Sequence, residues 1–211
     1  MEKFRFYTLW LAGICVIAFI LQLLVNGFTD MFVLNQRAFN NYEIWRFVSS
    51  IFLHGSVTHL LFNMLALLIF GISAEKLIGG KLFLLLFFAS GIIANLISVD
   101  FYASSLGASG AIMGIIGCLA VIRPFMMVWA FGLILPMFIA AIVWIIGDLI
   151  GVFYPSDVGN IAHLSGIGAG ILVGILLRIR CKGKFRVVRD RNNKIKIHED
   201  SIRKWEDDWM R

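Results

Sequence analysis

Apolar residues run through this chain in long blocks broken by short polar interruptions, not in the alternation of a half-buried strand. Six blocks lie at approximately 8–26, 58–78, 82–99, 107–123, 125–149 and 160–178. Each approaches the roughly 20 residues that a helix needs to cross a bilayer. The pattern predicts an all-α polytopic membrane protein with six transmembrane helices. The fourth block is short and glycine-rich, and Pro124 marks its lower end. The first resembles a secretory leader, with Lys3 and Arg5 ahead of an apolar run from Leu9 to Leu24. It continues into Val25-Asn26-Gly27-Phe28 without a small-x-small cleavage site, so it is expected to stay as the first membrane helix. Residues 27–57 mix Asp30, Arg37, Glu43 and Arg46 with Phe32, Phe39, Trp45, Phe47, Ile51 and Phe52. Aromatic rings favour the headgroup level, so this first loop is expected to be membrane-embedded and to carry short helices. The division expected is a membrane core over 1–180 and a polar tail over 181–211. Within the tail, Phe185-Arg186-Val187-Val188 and Ile195-Lys196-Ile197 around Asn192-Asn193 suggest a small hairpin. Ser201 to Arg211, with Trp205 and Trp209, suggests a short amphipathic helix at the bilayer surface.

Composition excludes a soluble domain. Hydrophobic residues are 60% of the chain and charged ones 15%, against about 45–50% and about 25% in soluble domains. The net charge of +6 is carried by one end, because twelve of the nineteen Lys and Arg residues lie from Arg178 onward. Anionic lipid headgroups are the partner such a tail suits, and nucleic acid is not. With the N-terminus inside, seventeen basic residues fall on the inner side, leaving Arg37 and Arg46 outside. The positive-inside rule then places both termini in the cytoplasm. Cys15, Cys118 and Cys181 are scattered, with neither metal-ligand nor disulfide spacing, and read as packing residues.

This topology gathers the few polar residues of the blocks into one layer. Helices two, four and six all run from outside to inside. His59 and Asn63 lie near the start of the second, Ser109 of the fourth and His163 of the sixth. At 1.5 Å per residue, Asn63 is only about 6 Å deeper than His59, and four residues apart they share a face. Polar side chains at membrane depth are costly and call for a functional explanation. Gly110, Gly114 and Gly117 on helix four, and Gly166, Gly170 and Gly174 on helix six, form small-residue stripes that permit close helix approach. Such a contact would bring Ser109 against His163.

These residue types suit acyl transfer. A serine hydroxyl needs a base within hydrogen-bond reach, and His163 is placed to serve. The oxyanion of a tetrahedral intermediate needs donors, which the Asn63 amide, the His59 ring N–H and the Ser109 backbone N–H can supply. No carboxylate stands out at the layer, since neither Asp148 nor Asp157 has a distinguishing spacing, and a Ser–His dyad without aspartate is expected. His54, His59 and His163 lack an Asp, Glu or Cys to complete a metal site. His54 reads as a polar loop residue or a neighbour of the site, and His198 as a solvated tail residue.

The strings Trp45-Arg46, His59-Leu-Leu-Phe-Asn63, Gly71-x-x-x-Glu75-x-x-x-Gly79, Gly107-Ala-Ser109-Gly110 and Ala162-His163-Leu-Ser-Gly166 resemble, in this order, the rhomboid intramembrane serine proteases over roughly residues 8–178. The resemblance implies a six-helix bundle that cleaves other proteins' transmembrane helices near their outer ends, without metal or cofactor. It implies Ser109 as nucleophile, His163 as base, and His59 and Asn63 at the oxyanion. It implies structural roles for Trp45, Arg46 and Glu75, with the site opening to the outer side of the cell membrane. By the same analogy helix five, with Trp129, Phe131, Phe138 and Trp144, is a candidate gate. One departure stands out: many relatives place an aromatic against the catalytic histidine four residues after the nucleophile, where this chain has Met113. Two rivals remain at this level. One is a catalytically silent relative that binds membrane helices; the other is a small-solute transporter, which lacks the expected broken helices in matched halves.

Overall fold

The computed structural model describes residues 6–154 and 158–180, which fall in one unit, Met1–Arg180. The tail over 181–211, with its expected hairpin and amphipathic helix, and Asp157 lie outside the described residues. In chain order the helices are α1 (Tyr7–Leu24), α2 (Phe28–Phe32), α3 (Arg37–Asn40), α4 (Arg46–Ser49), α5 (Val57–Ala66), α6 (Ile72–Ile78), α7 (Gly80–Ser98) and α8 (Ser109–Ile122). A two-stranded antiparallel hairpin follows, β1 (Met127–Ala130) and β2 (Leu133–Pro136), then α9 (Met137–Gly151) and α10 (Asn160–Arg180). A π-helical turn at Leu67–Gly71 joins α5 to α6, making one helix from Val57 to Ile78. Among the described residues, four helices are long and apolar enough to cross a membrane: α1, α5–α6, α7 and α10. The apolar helices α8 and α9 are shorter. The chain is a multi-pass integral membrane protein.

One expected element is corrected. The block drawn as a helix over 125–149 begins with the β1–β2 hairpin, and helix resumes only at Met137. Phe131 (φ 55°) and Gly132 (φ 77°) turn the hairpin with left-handed backbone, the geometry that tight hairpin turns require. Pro136 then opens α9. Trp129 and Phe131 therefore sit on the hairpin, while Phe138 and Trp144 lie on α9. Phe131 still packs on Trp144, ring centroids 4.5 Å apart.

Polar side chains inside the bundle hold backbone. Phe6 offers α1 no side-chain cap. Buried Glu75 of α6 supplies one, accepting from the N–H groups of Tyr7 (2.9 Å) and Thr8 (3.0 Å) and from Thr8 Oγ1 (2.8 Å). A carboxylate there satisfies helix-terminal donors and complements the helix dipole. Buried Arg46 ties the first loop together: its Nη1 donates to the carbonyls of Asp30 (2.7 Å) and Val33 (2.8 Å), and its Nε pairs with Glu43. Trp45 is half exposed, its indole N–H directed at the Met31 carbonyl 3.4 Å away.

α8 forms the centre, with every residue from Gly110 to Leu119 buried. Its partner is α10, and backbone meets backbone between them. A Cβ on Gly166 would collide with the Gly110 carbonyl oxygen, one on Gly170 with that of Gly114, and one on Gly117 with that of Ile167. Only residues without side chains allow this approach. Gly170→Ala is expected to push the two helices apart and destabilise the protein by about 1–3 kcal/mol, the usual range for overpacking. Gly13→Ala on α1, where nothing lies within 4 Å, is expected to be neutral or slightly stabilising. Thermal unfolding in detergent, both variants beside the parent, reads the difference.

Candidate active site

The first turns of three helices meet at one end of the bundle. α5 begins under a local cap, Ser56 Oγ accepting from the His59 N–H at 3.1 Å. The loop before it is pinned by Gln22 of α1, whose amide accepts from the His54 N–H (2.9 Å) and donates to the His54 carbonyl (3.2 Å). The loop before α8 is fixed on the other side. Leu34 and Ser105 exchange backbone hydrogen bonds, and the Gly107 N–H donates to the Ser50 carbonyl at 2.9 Å. Asn95 of α7 steadies that contact, reaching the Phe47 carbonyl (2.8 Å) and Ser50 Oγ (3.0 Å). α10 is held at its start by the Tyr102 hydroxyl, which accepts from the Ile161 N–H at 3.0 Å.

Gly107 sits at the crossing point with φ 124°, a conformation that L side chains rarely adopt. A Cβ there would lie 2.9 Å from His59 Cε1, 3.0 Å from His59 Nε2 and 3.8 Å from Ser109 Oγ. The serine hydroxyl and the His59 ring thus flank the space that glycine leaves open. At Gly110, a Cβ would stand 3.6 Å from the Ala162 carbonyl oxygen, so the first turns of α8 and α10 are in contact beside Ser109 and His163. His163 also lies within electrostatic reach of His59. Ser109 starts α8, where the first backbone N–H groups of a helix have no intrahelical acceptor.

The expectation that no carboxylate reaches this layer is corrected. Asp148, in the last turns of α9, places Oδ1 3.0 Å from His163 Nδ1. Both side chains are close to buried, 13% exposed for His163 and 10% for Asp148. Sequence spacing gave no sign of this because fifteen residues and a change of helix separate the two. The available signal was chemical: Asp148 is the one ionisable residue in the apolar run of α9, and such residues rarely lie in membrane helices without a partner.

The hydrogen bonds assign opposite roles to two imidazoles. A carboxylate only accepts, so the neutral form of the His163 ring carries its proton on Nδ1 and presents a lone pair at Nε2. His59 Nδ1 instead accepts from the Gly55 N–H, at a long 3.4 Å, which leaves its proton on Nε2, the atom facing Gly107. Asn63 is buried and spends one amide hydrogen on the His59 carbonyl at 2.9 Å, keeping the second. Met113 is buried in the core around α8.

His54 packs edge-on against His59, ring centroids 5.2 Å apart, in the loop ahead of α5. Burial pushes its imidazole down to about 4, with His59 adding to the effect and the Phe52 carbonyl opposing it. The unfolded chain takes up this proton near the ordinary value of 6.5, the folded chain only near 4. Stability from His54 is therefore complete above pH 6.5 and is lost as pH falls towards 4. The unfolding midpoint in detergent is expected to drop across that window, and His54→Gln to flatten the drop.

A family model for the rhomboid domain matches residues 41–180. The chain is 30% identical over 176 residues to Rhomboid protease GlpG of Haemophilus influenzae, covering 80% of this chain and 89% of that one. It is 35% identical over 148 residues to Rhomboid protease GluP of Bacillus subtilis, covering 68% of this chain and 28% of the relative. With RHOMBOID-like protein 4 of Arabidopsis thaliana it shares 36% identity over 140 residues, 65% of this chain and 35% of the relative. It thus spans about a third of the length of the plant protein and nearly all of the Haemophilus one.

Proposed function

The chain belongs to the rhomboid family, and from that membership we propose that it is an intramembrane serine endopeptidase that cuts the transmembrane helices of single-pass or polytopic membrane proteins near their outer ends. The observation that carries the reading is the meeting, at one end of the bundle, of a helix-starting serine with two imidazoles of opposite hydrogen-bonding character.

Ser109 is the nucleophile and His163 the base. As Ser109 Oγ bonds to the scissile carbonyl carbon, its proton passes to His163 Nε2. The negative charge gathering on the carbonyl oxygen is met by His59 Nε2–H, the free Asn63 amide hydrogen and the Ser109 backbone N–H. The C–N bond then breaks as the imidazolium returns its proton to the leaving amine. A water repeats the sequence, releasing the carboxylic acid and restoring the serine. Gly107, Gly110 and Gly166 shape the site; Arg46 and Trp45 hold the first loop, and Glu75 holds the foot of α1.

In the proposed topology α8 and α9 complete six crossings. At about 1.5 Å per residue, the 14 residues of α8 span about 21 Å, less than the hydrocarbon core. That suits a helix surrounded by protein whose upper end lies below the outer surface. Both termini lie in the cytoplasm of a cell-membrane protein, the site opens outward, and the basic tail over 181–211 contacts anionic headgroups.

The test is cleavage of a model transmembrane substrate in proteoliposomes, with the cut located by mass spectrometry. Wild type is expected to cut near the outer face, Ser109→Ala to give no cut, and His163→Ala to lose both cleavage and Ser109 labelling by a fluorophosphonate while staying folded. Absence of cutting and labelling by wild type, across several helix-destabilised substrates, would make the chain a silent helix-binding relative. Substrates with a small residue at the cut and helix-weakening residues below it are expected to be preferred, because a helix shields its peptide bonds. Equal cleavage of a uniformly Leu-rich helix would remove that requirement.

A further inference from the structure

We propose that Asp148 is a positioning residue for the reaction, so that the site works as a Ser109–His163–Asp148 relay of orientation rather than as a dyad. The inference rests on the roles proposed for Ser109 and His163. It starts from a cost. A carboxylate in the last turns of an apolar membrane helix loses hydration that only a close partner offsets. Asp148 has such a partner in the Nδ1 of His163, at 3.0 Å.

That bond fixes two things the helix alone leaves free. One is the tautomer: the opposite one would set a lone pair of Nδ1 against a lone pair of the carboxylate, and would leave Nε2 already protonated and unable to accept from serine. The other is ring orientation, since His163 stands on α10 and the carboxylate comes from α9, so the imidazole is held from two helices. The positive charge that forms on the ring during acylation then arises beside a fixed negative one. The proton stays on His163, and Asp148 takes none. Met113 lies where the resemblance led us to expect an aromatic support for the ring, and in this chain a carboxylate gives that support from the neighbouring helix.

A structural tie and a positioning role predict opposite orders for two variants. The asparagine side chain of Asp148→Asn is isosteric, fills the space and keeps a hydrogen bond, so a mere tie tolerates Asp148→Asn better than Asp148→Ala. For positioning, Asp148→Asn is the worse change, because its amide donates to Nδ1 and imposes the wrong tautomer. The experiment measures kcat, KM, the fluorophosphonate labelling rate of Ser109 and the unfolding midpoint for wild type, Asp148→Asn, Asp148→Ala and Asp148→Glu in proteoliposomes. Asp148→Asn is expected to lose about 100-fold or more in kcat and in labelling, with KM within about threefold; the same change in a soluble serine protease triad costs about 10⁴. Asp148→Ala is expected to retain more activity than Asp148→Asn, and Asp148→Glu to recover part of the loss. Activity of Asp148→Asn within about threefold of wild type, or above that of Asp148→Ala, would overturn the proposal. So would faster cleavage by either variant, which would make the pair a latch between α9 and α10. If Asp148→Asn does not fold, Asp148→Ala decides alone: a loss of about tenfold or more in kcat at unchanged KM supports positioning, and unchanged kcat refutes it. Loss of activity at Asp148 with wild type cutting through Ser109 separates this inference from the protease reading, which fails only if wild type neither cuts nor labels.

Discussion

The backbone-to-backbone contact of α8 with α10 is the constraint on which the other features depend. Membrane helices gain little by hiding apolar surface from lipid, so close packing and polar contacts must hold them together. Here the carbonyls of Gly110 and Gly114 lie on the Cα positions of Gly166 and Gly170. Each glycine gives up about 0.5–1 kcal/mol of helix preference relative to alanine. What the stripe secures is a helix spacing that no side chain allows, and with it the meeting of the two first turns. A separation larger by one methyl group would move Ser109 away from His163 whatever those residues were.

Around this contact the polar residues divide by what they satisfy. Glu75, Arg46, Gln22 and Asn95 mostly bind backbone groups, which is where a bundle with an irregular first loop has its unmet donors and acceptors. Buried backbone groups without partners are expensive, more so where water is scarce. Through these bonds the loop over 27–56 becomes a support, carrying Ser50 to the Gly107 N–H and His54 to the start of α5. Asp148 and His163 differ in kind, since each binds the other's side chain and no backbone. A pair of that sort adds nothing to chain satisfaction, which is a reason to look to chemistry for its purpose.

Much of this was legible in the sequence, and the exceptions have physical causes. Continuous apolar blocks located the long helices to within a few residues, and the glycine stripes foretold the α8–α10 contact because a four-residue spacing fixes a helix face. The hairpin was missed because Met127–Ala130 and Leu133–Pro136 are as apolar as any membrane helix, and hydropathy does not distinguish strand from helix in a short run. The aromatic and β-branched content of the segment, Gly132 and the flanking Pro124 and Pro136 were the available signs. Motif spacing singled out Ser109, His163, His59 and Asn63 as candidates. It was silent on Asp148, Gln22 and Tyr102, because their partners lie on other helices or loops and no period along the chain relates them.

The two histidines show why residue type alone underdetermines a site. His59 and His163 have the same side chain near the starts of two helices that both pack against α8, yet the proposed mechanism needs a donor from one and an acceptor from the other. Nothing in the imidazoles distinguishes them. The difference lies in what each Nδ1 meets: a backbone N–H from Gly55 for His59, a carboxylate from Asp148 for His163. A donor at Nδ1 sends the proton to Nε2, and an acceptor at Nδ1 keeps the proton on Nδ1. Exchanging the two partners would invert both rings and leave the serine facing an N–H with the oxyanion facing a lone pair. Under this mechanism the chemistry is set one bond away from the reacting atoms, by a loop glycine and by an acid on α9.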